Sequence, residues 1–259
     1  MTSIRRQLSV SASRLLLHPK RHPPAGSRPG TLVTSPESPP PVIHLFHYDE
    51  RSLEERDVTN VEDLAALPQE GVSWVDIQGM GDEALLRRVG QIFQLHPLAL
   101  EDAVNIPQRP KSELYDHFYL YVTRMIRLGE RRELCGEQVS FFFGKWFVLT
   151  IQEQYGDVFD PIRKRIRMDE GIIRRQGPDY LAYALIDTVL DGYYPVIETI
   201  GDRLHDLEEE ILERPSQRGL HRIHRVRRDL LGLRRAVWPQ REAVNAMIRD
   251  ESGLVSPLV

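Results

Sequence analysis

Cysteine is nearly absent. The 259 residues contain one, Cys135, so no intrachain disulfide can form and a cysteine-based zinc centre is excluded. A reducing compartment is the natural reading. Long apolar runs are missing too. The longest, around residues 139–151, is interrupted by Gly144 and Lys145, well short of the roughly 20 apolar residues a spanning helix needs. No part of this sequence is therefore expected to cross a membrane. There is no surplus of positive charge: the net charge is -4, which argues against a nucleic-acid partner. No catalytic triad and no phosphate loop is visible. Acids are absent from the first 36 residues, which carry Arg5, Arg6, Arg14, Lys20, Arg21 and Arg28. Both a transit peptide and a disordered basic tail have that composition. Pro19, Pro23 and Pro24 would break an amphipathic helix, so residues 1–41, ending in a Pro-rich linker, read as a tail.

What is present is an ordinary globular composition, 41% hydrophobic and 28% charged. The next stretch, 42–177, mixes strand and helix signals. Residues 42–46 suit an edge strand, and 61–67 suit a short helix stopped by Pro68. Residues 72–77 form a strand ended by Gly79-Met80-Gly81, and Asp82 then caps a helix to about Phe93. Pro97 can open the next helical turn, which Pro107 and Pro110 close. β-rich runs follow at 118–128, 138–143 and 146–152, with Gly144-Lys145 as a tight hairpin. A charged helix covers 157–167. Strands alternating with helices, then helices alone, predict an α/β/α sandwich with a mixed sheet followed by a long antiparallel two-helix arm over 178–259.

The first arm helix, 179–213, has an apolar seam running from Leu181 to Ile211 at spacings of three and four, with a kink expected at Pro195. Pro215 is expected to end it. The second covers 216–249. Charge divides sharply between them. The first carries Glu198, Asp202, Asp206, Glu208, Glu209, Glu210 and Glu213 against Arg203, whereas the second is rich in arginine.

Residues 96–111, HPLALEDAVNIPQRPK, place two carboxylates side by side, Glu101 and Asp102. A hard cation such as Mg²⁺ takes oxygen ligands, usually one or two carboxylates with retained water. A solvated helix end is the plain alternative. Asp187 and Asp191 lie one helical turn apart and can face one partner, or simply solvent. Asp202, Asp206 and Glu209 belong to an acidic stretch that reads as plain solvated charge, with electrostatic attraction of cations as its alternative role. Residues 79–84 match GxGxxA after a strand, with Glu101 about twenty residues on, as in a dinucleotide site. That match is poor, because Glu101 falls in a helix and the strand before it carries Ser73, Asp76 and Gln78, unlike a buried parallel strand. It is the sole ground for reading an enzyme. His96 reads as structural and Cys135 as an ordinary loop residue.

In order along the chain, GTLV at 30–33, WVD at 74–76 with Gly79 and Gly81, and the 96–111 block resemble the CorA family of magnesium and cobalt channels. So do EQVSF at 137–141, VLTIQE at 148–153, GDVFDPIRKRIR at 156–167, DYLAYALIDTVLDGYY at 179–194 and RRAVWPQREAV at 234–244. The resemblance implies a cytosolic domain that senses Mg²⁺, with Co²⁺ as a second ion. It also implies a homo-oligomer, a pentamer in the full-length protein. The inner cell membrane would be reached through a stalk, two membrane helices and a Gly-Met-Asn loop that are missing from this chain. Glu101, Asp102 and Asp187 match the regulatory metal site between subunits, whose main opposing carboxylate would lie beyond Val259. Mg²⁺ bound there would favour the closed state. The same architecture in a Zn²⁺, Ni²⁺ or Co²⁺ transporter, or a truncated soluble regulator, are the alternatives.

Overall fold

The computed structural model describes residues 23–35, 37–130, 132–213, 216–249 and 251–256. The basic residues before position 23 and the helix stop at Pro215 lie outside them. Among the described residues, seven strands form one mixed sheet in the order β2-β1-β3-β7-β6-β5-β4. They are β1 (Val42–Tyr48), β2 (Leu53–Val58), β3 (Val72–Gln78), β4 (Lys111–Leu114), β5 (Phe118–Leu128), β6 (Leu134–Gly144) and β7 (Phe147–Gln152). Only β3 and β7 run parallel; the other neighbours are antiparallel.

Strict alternation divides the strand side chains between two cores. Val75, Ile77, Leu120, Val122 and Phe142 point to one face. Trp74, Tyr119, Tyr121, Phe141 and Phe143 point to the other. The first face is covered by a 3-10 turn (Val61–Ala66), α1 (Glu83–Ile92) and α2 (Pro97–Val104). The second is covered by α3 (Asp160–Met168), α4 (Pro178–Asp191) and α7 (Gln240–Ile248). The predicted α/β/α sandwich is thus present. Several details differ from expectation. β1 is internal, not an edge strand; the edges are β2 and β4, LEERDV and KSEL. Their charged side chains protect open edges from further pairing, and their low apolar content hid them in the sequence. The β6–β7 turn is Lys145-Trp146, one residue later than expected, and Cys135 lies within β6 rather than in a loop.

β3 also corrects a sequence argument. It is buried at all seven positions and pairs parallel with β7 despite its polar residues. Asp76, fully buried, accepts hydrogen bonds from Thr150 Oγ1 (2.6 Å), Gln152 Nε2 (2.8 Å) and Arg163 Nη2 (2.7 Å). Arg163 also pairs with Asp157 (2.5 Å) and lies over the Trp74 ring. Burial opposes the Arg163 charge, but the two carboxylates outweigh it and raise its pKa. This network staples α3 to the sheet. It requires Asp157 ahead of the helix, so α3 begins at Asp160 rather than 157. The glycines after β3 serve packing: Gly79 adopts φ +98° under the Pro40 carbonyl, and Gly81 N donates to Pro39 O (2.8 Å).

The arm consists of α5 (Tyr193–Glu213) and α6 (Gln217–Val237). Glu210 pairs with Arg222, and Asp229 with Arg203 at 3.6 Å. Partner numbers rise on one helix as they fall on the other, so the two are antiparallel. Val196, Ile200, Leu207, Val226 and Leu233 form their shared core with Ile126 and Leu134 of the sheet. The break in the first arm helix is at Gly192, not Pro195. A proline ring clashes with the carbonyl four residues back, here Asp191, where α4 stops. Pro195 itself sits in the first turn of α5, where its missing N–H has no intrahelical role.

Candidate metal centre

Helix α2 is built as its sequence suggests. His96 caps it, Nδ1 accepting from Leu98 N (3.2 Å), and Pro97 occupies the first turn. Ala99, Leu100, Ala103 and Val104 are buried, which turns Glu101 and Asp102 outward. Neighbouring residues on a helix diverge by about 100°, so the two carboxylates take different partners. Glu101 Oε2 accepts from Gly30 N (2.6 Å). Val33 N donates to Asn105 Oδ1 (2.7 Å), and Asn105 Nδ2 donates to Thr31 O (2.9 Å). Leu32 is buried in the first core. Residues 30–33, within the segment read as a tail, are therefore strapped along α2. Gly30 is needed there: its φ is +82°, and an added Cβ would lie 2.8 Å from the Pro97 side chain.

Asp102 faces the sheet edge. Lys111 Nζ bridges Asp102 Oδ2 (2.6 Å) and Glu113 Oε1 (2.7 Å), and Tyr115 donates to Glu113 (3.0 Å). Burial opposes the Lys111 charge, but the two carboxylates prevail and raise its pKa. Sequence reasoning missed Lys111 and Glu113. The signal was available, since alternate residues of a strand share a face, but β4 was not recognised as a strand. Gln138 holds the end of α2 in place, Nε2 donating to the Asp102 and Ala103 carbonyls (3.0 and 3.2 Å). These are helix-end acceptors that need partners. Gln138 N in turn donates to the buried Glu153 (2.6 Å).

Asp187 lies on the exposed face of α4. Partial desolvation and then the Asp191 charge raise its pKa, with Arg165 opposing. That pair favours any cation that neutralises it. The strongest charges acting on Asp187 are therefore Asp191 and Arg165, not Glu101 or Asp102. On α5, Asp202 lies 3.6 Å from Arg132 and Glu209 lies 3.5 Å from His205, all exposed, as is Asp206. Among the described residues, no group of three or more His, Cys, Asp or Glu side chains is arranged to hold a metal ion. Within one chain the predicted residues thus form separate carboxylate stations, each with oxygen donors fit for a hard cation and too few to enclose one.

An α/β/α domain bearing a long antiparallel arm is the architecture of the soluble domain of CorA transporters. That of *Methanocaldococcus jannaschii* CorA superposes with a TM-score of 0.67 at 16% identity, over 83% of this chain and 82% of that one. The complete *M. jannaschii* CorA magnesium transporter gives 0.69 at 14% identity, over 83% and 65%. At such identities these likenesses speak to fold alone. Residues 69–257 match the family model described as CorA-like Mg²⁺ transporter protein, and the chain belongs to that family. It is 40% identical over 237 residues to the cobalt/magnesium transport protein CorA of *Thermotoga maritima*, covering 90% of this chain and 66% of that protein. The chain thus spans about two thirds of the length of that relative. The family is one of transporters rather than enzymes. Among the described residues, no helix is long and apolar enough to cross a membrane.

Proposed function

We propose that this chain is the cation-sensing part of a CorA-type Mg²⁺ transporter, with Co²⁺ as a second ion. In this reading it works on the cytosolic side of a membrane as a subunit of a homopentamer. The observation that carries the proposal is the set of outward-facing, incomplete carboxylate stations on α2 and α4. Each retains oxygen ligands, and a neighbouring subunit can supply the rest. Empty, such stations repel one another across an interface. A bridging Mg²⁺ would favour the closed assembly, and loss of the ion would release it, which is linkage between binding and conformation. The arm supports an assembled state as well. Ile197, Leu204, Leu212, Leu220 and Ile223 are apolar and exposed, a pattern typical of interaction surfaces. The all-oxygen character of the stations favours Mg²⁺ over Zn²⁺.

Sedimentation and thermal unfolding with and without Mg²⁺ test the proposal. Saturable Mg²⁺-dependent association and stabilisation are expected, weakened in Asp102→Ala and Asp187→Ala. In the whole transporter, both substitutions should reduce inhibition of uptake by Mg²⁺. Unchanged Mg²⁺ responses in both variants would refute the assignment. Stronger stabilisation by Zn²⁺ at the same residues would transfer it to a zinc transporter.

A further inference from the structure

A second site lies away from these carboxylates. A pocket of about 530 Å³ opens between the loop after α2, strand β5 and the corner joining α6 to α7. Among the described residues its lining includes four arginines, Arg109, Arg124, Arg234 and Arg235, together with Trp238, and no acidic residue. The volume falls within the range of roughly 300–1,000 Å³ typical of small-molecule sites.

Arg124 is the informative member. It is 8% exposed, and among the described residues its buried Nε and Nη2 have no hydrogen-bond partner. Every other buried arginine or lysine discussed above has a carboxylate. An unpaired buried guanidinium is costly to the fold. Nε and Nη2 together form the side-on fork that matches two oxygens of one anion. The other three arginines lining the pocket are exposed and add positive charge around it. Trp238 is 72% exposed, with Arg234 stacked 5.7 Å from its ring centroid. A flat aromatic beside a phosphate-binding cluster suits a nucleobase, since stacking on an exposed aromatic is a general means of holding bases.

We propose that this pocket binds a nucleoside polyphosphate, with Arg124 as the buried anchor of a phosphate group and Trp238 as the platform for the base. Gln108 lines the same pocket and is bound through its backbone N–H to Gln138 (2.7 Å), the residue that holds the end of α2. A ligand here therefore has a short covalent and hydrogen-bonded route to Asp102.

Calorimetry and tryptophan fluorescence on the chain, with Mg²⁺-free ATP, tripolyphosphate, inorganic phosphate and adenosine, test this. Saturable one-to-one binding of ATP is expected, with tripolyphosphate weaker and adenosine not measurable. Arg124→Met should weaken ATP about tenfold or more, the cost of losing charge-assisted hydrogen bonds, without lowering the melting temperature, because it removes an unpaired charge. Arg235→Ala, an exposed change, should weaken ATP severalfold in a normally folded chain. Absence of saturable ATP binding would overturn the proposal, and so would ATP binding untouched by both substitutions. Tripolyphosphate or phosphate binding as tightly as ATP would refute the role of Trp238 and the nucleobase.

Discussion

Glu137 offers a sharp test of how this domain balances buried charge. It lies on β6, 6% exposed, where burial and then the neighbouring Glu153 push its pKa up from 4.5 to about 8. Arg127 at 3.8 Å and the Gln154 N–H at 2.9 Å offset only part of this; Asp157 adds to the rise. Between pH 4.5 and 8 the folded chain keeps a proton that the unfolded chain has released. The unfolded state then binds fewer protons, so stability falls as pH rises through that window and levels off above it. At 1.36 kcal/mol per pH unit, a gap of about 3.5 units corresponds to roughly 5 kcal/mol. Glu137→Gln keeps an oxygen for the Gln154 N–H and cannot ionise, giving up only the 3.8 Å contact with Arg127. It should match the parent near pH 5 and exceed it by several kcal/mol at pH 8.5. Urea unfolding followed by tryptophan fluorescence at both pH values, with equal m values, measures the difference. An unchanged gap between variant and parent across that pH range would refute the reasoning.

Two further outcomes follow from packing. Arg163→Met leaves the buried Asp76 and Asp157 without their cation. Breaking such a pair costs about 3–5 kcal/mol, so the melting temperature should fall on the order of 10 °C; an unchanged melting curve would show that the network does not staple α3. Gly30→Val forces a side chain into a left-handed backbone against Pro97, a strain of roughly 1–3 kcal/mol. Hydrogen exchange at the Val33 amide should then accelerate strongly, and retained protection would refute the strapping of α2.

Much of the site was readable because its signals are local. The His96-Pro97 start of α2 and the Asp82 cap of α1 depend on side chains within three residues of the helix start. The β-rich runs that became β5 and β6 were visible because apolar residues fill both faces, giving nearly continuous runs rather than an alternation. What failed were inferences needing distant partners. Asp76 looked wrong for a buried strand until Arg163, 87 positions away, supplied its charge. Gly30-Thr31-Leu32-Val33 looked like part of a polar tail until Asn105 and Glu101 took up its backbone. Edge strands β2 and β4 lacked apolar periodicity because an edge needs charge more than burial.

By itself, the sequence determined the class of the protein. Cysteine scarcity, the β-then-helix order and the two oppositely charged helices follow from composition and short-range periodicity, and the ordered motifs pointed to the family. The tertiary structure decided what each charge does. It gave Glu101 and Asp102 different partners, handed Asp102 to Lys111 and brought Arg165 to act on Asp187. It also left Arg124 buried in the wall of a pocket lined by three further arginines. Charge pairing depends on distance in space and on burial, and neither is encoded by separation along the chain.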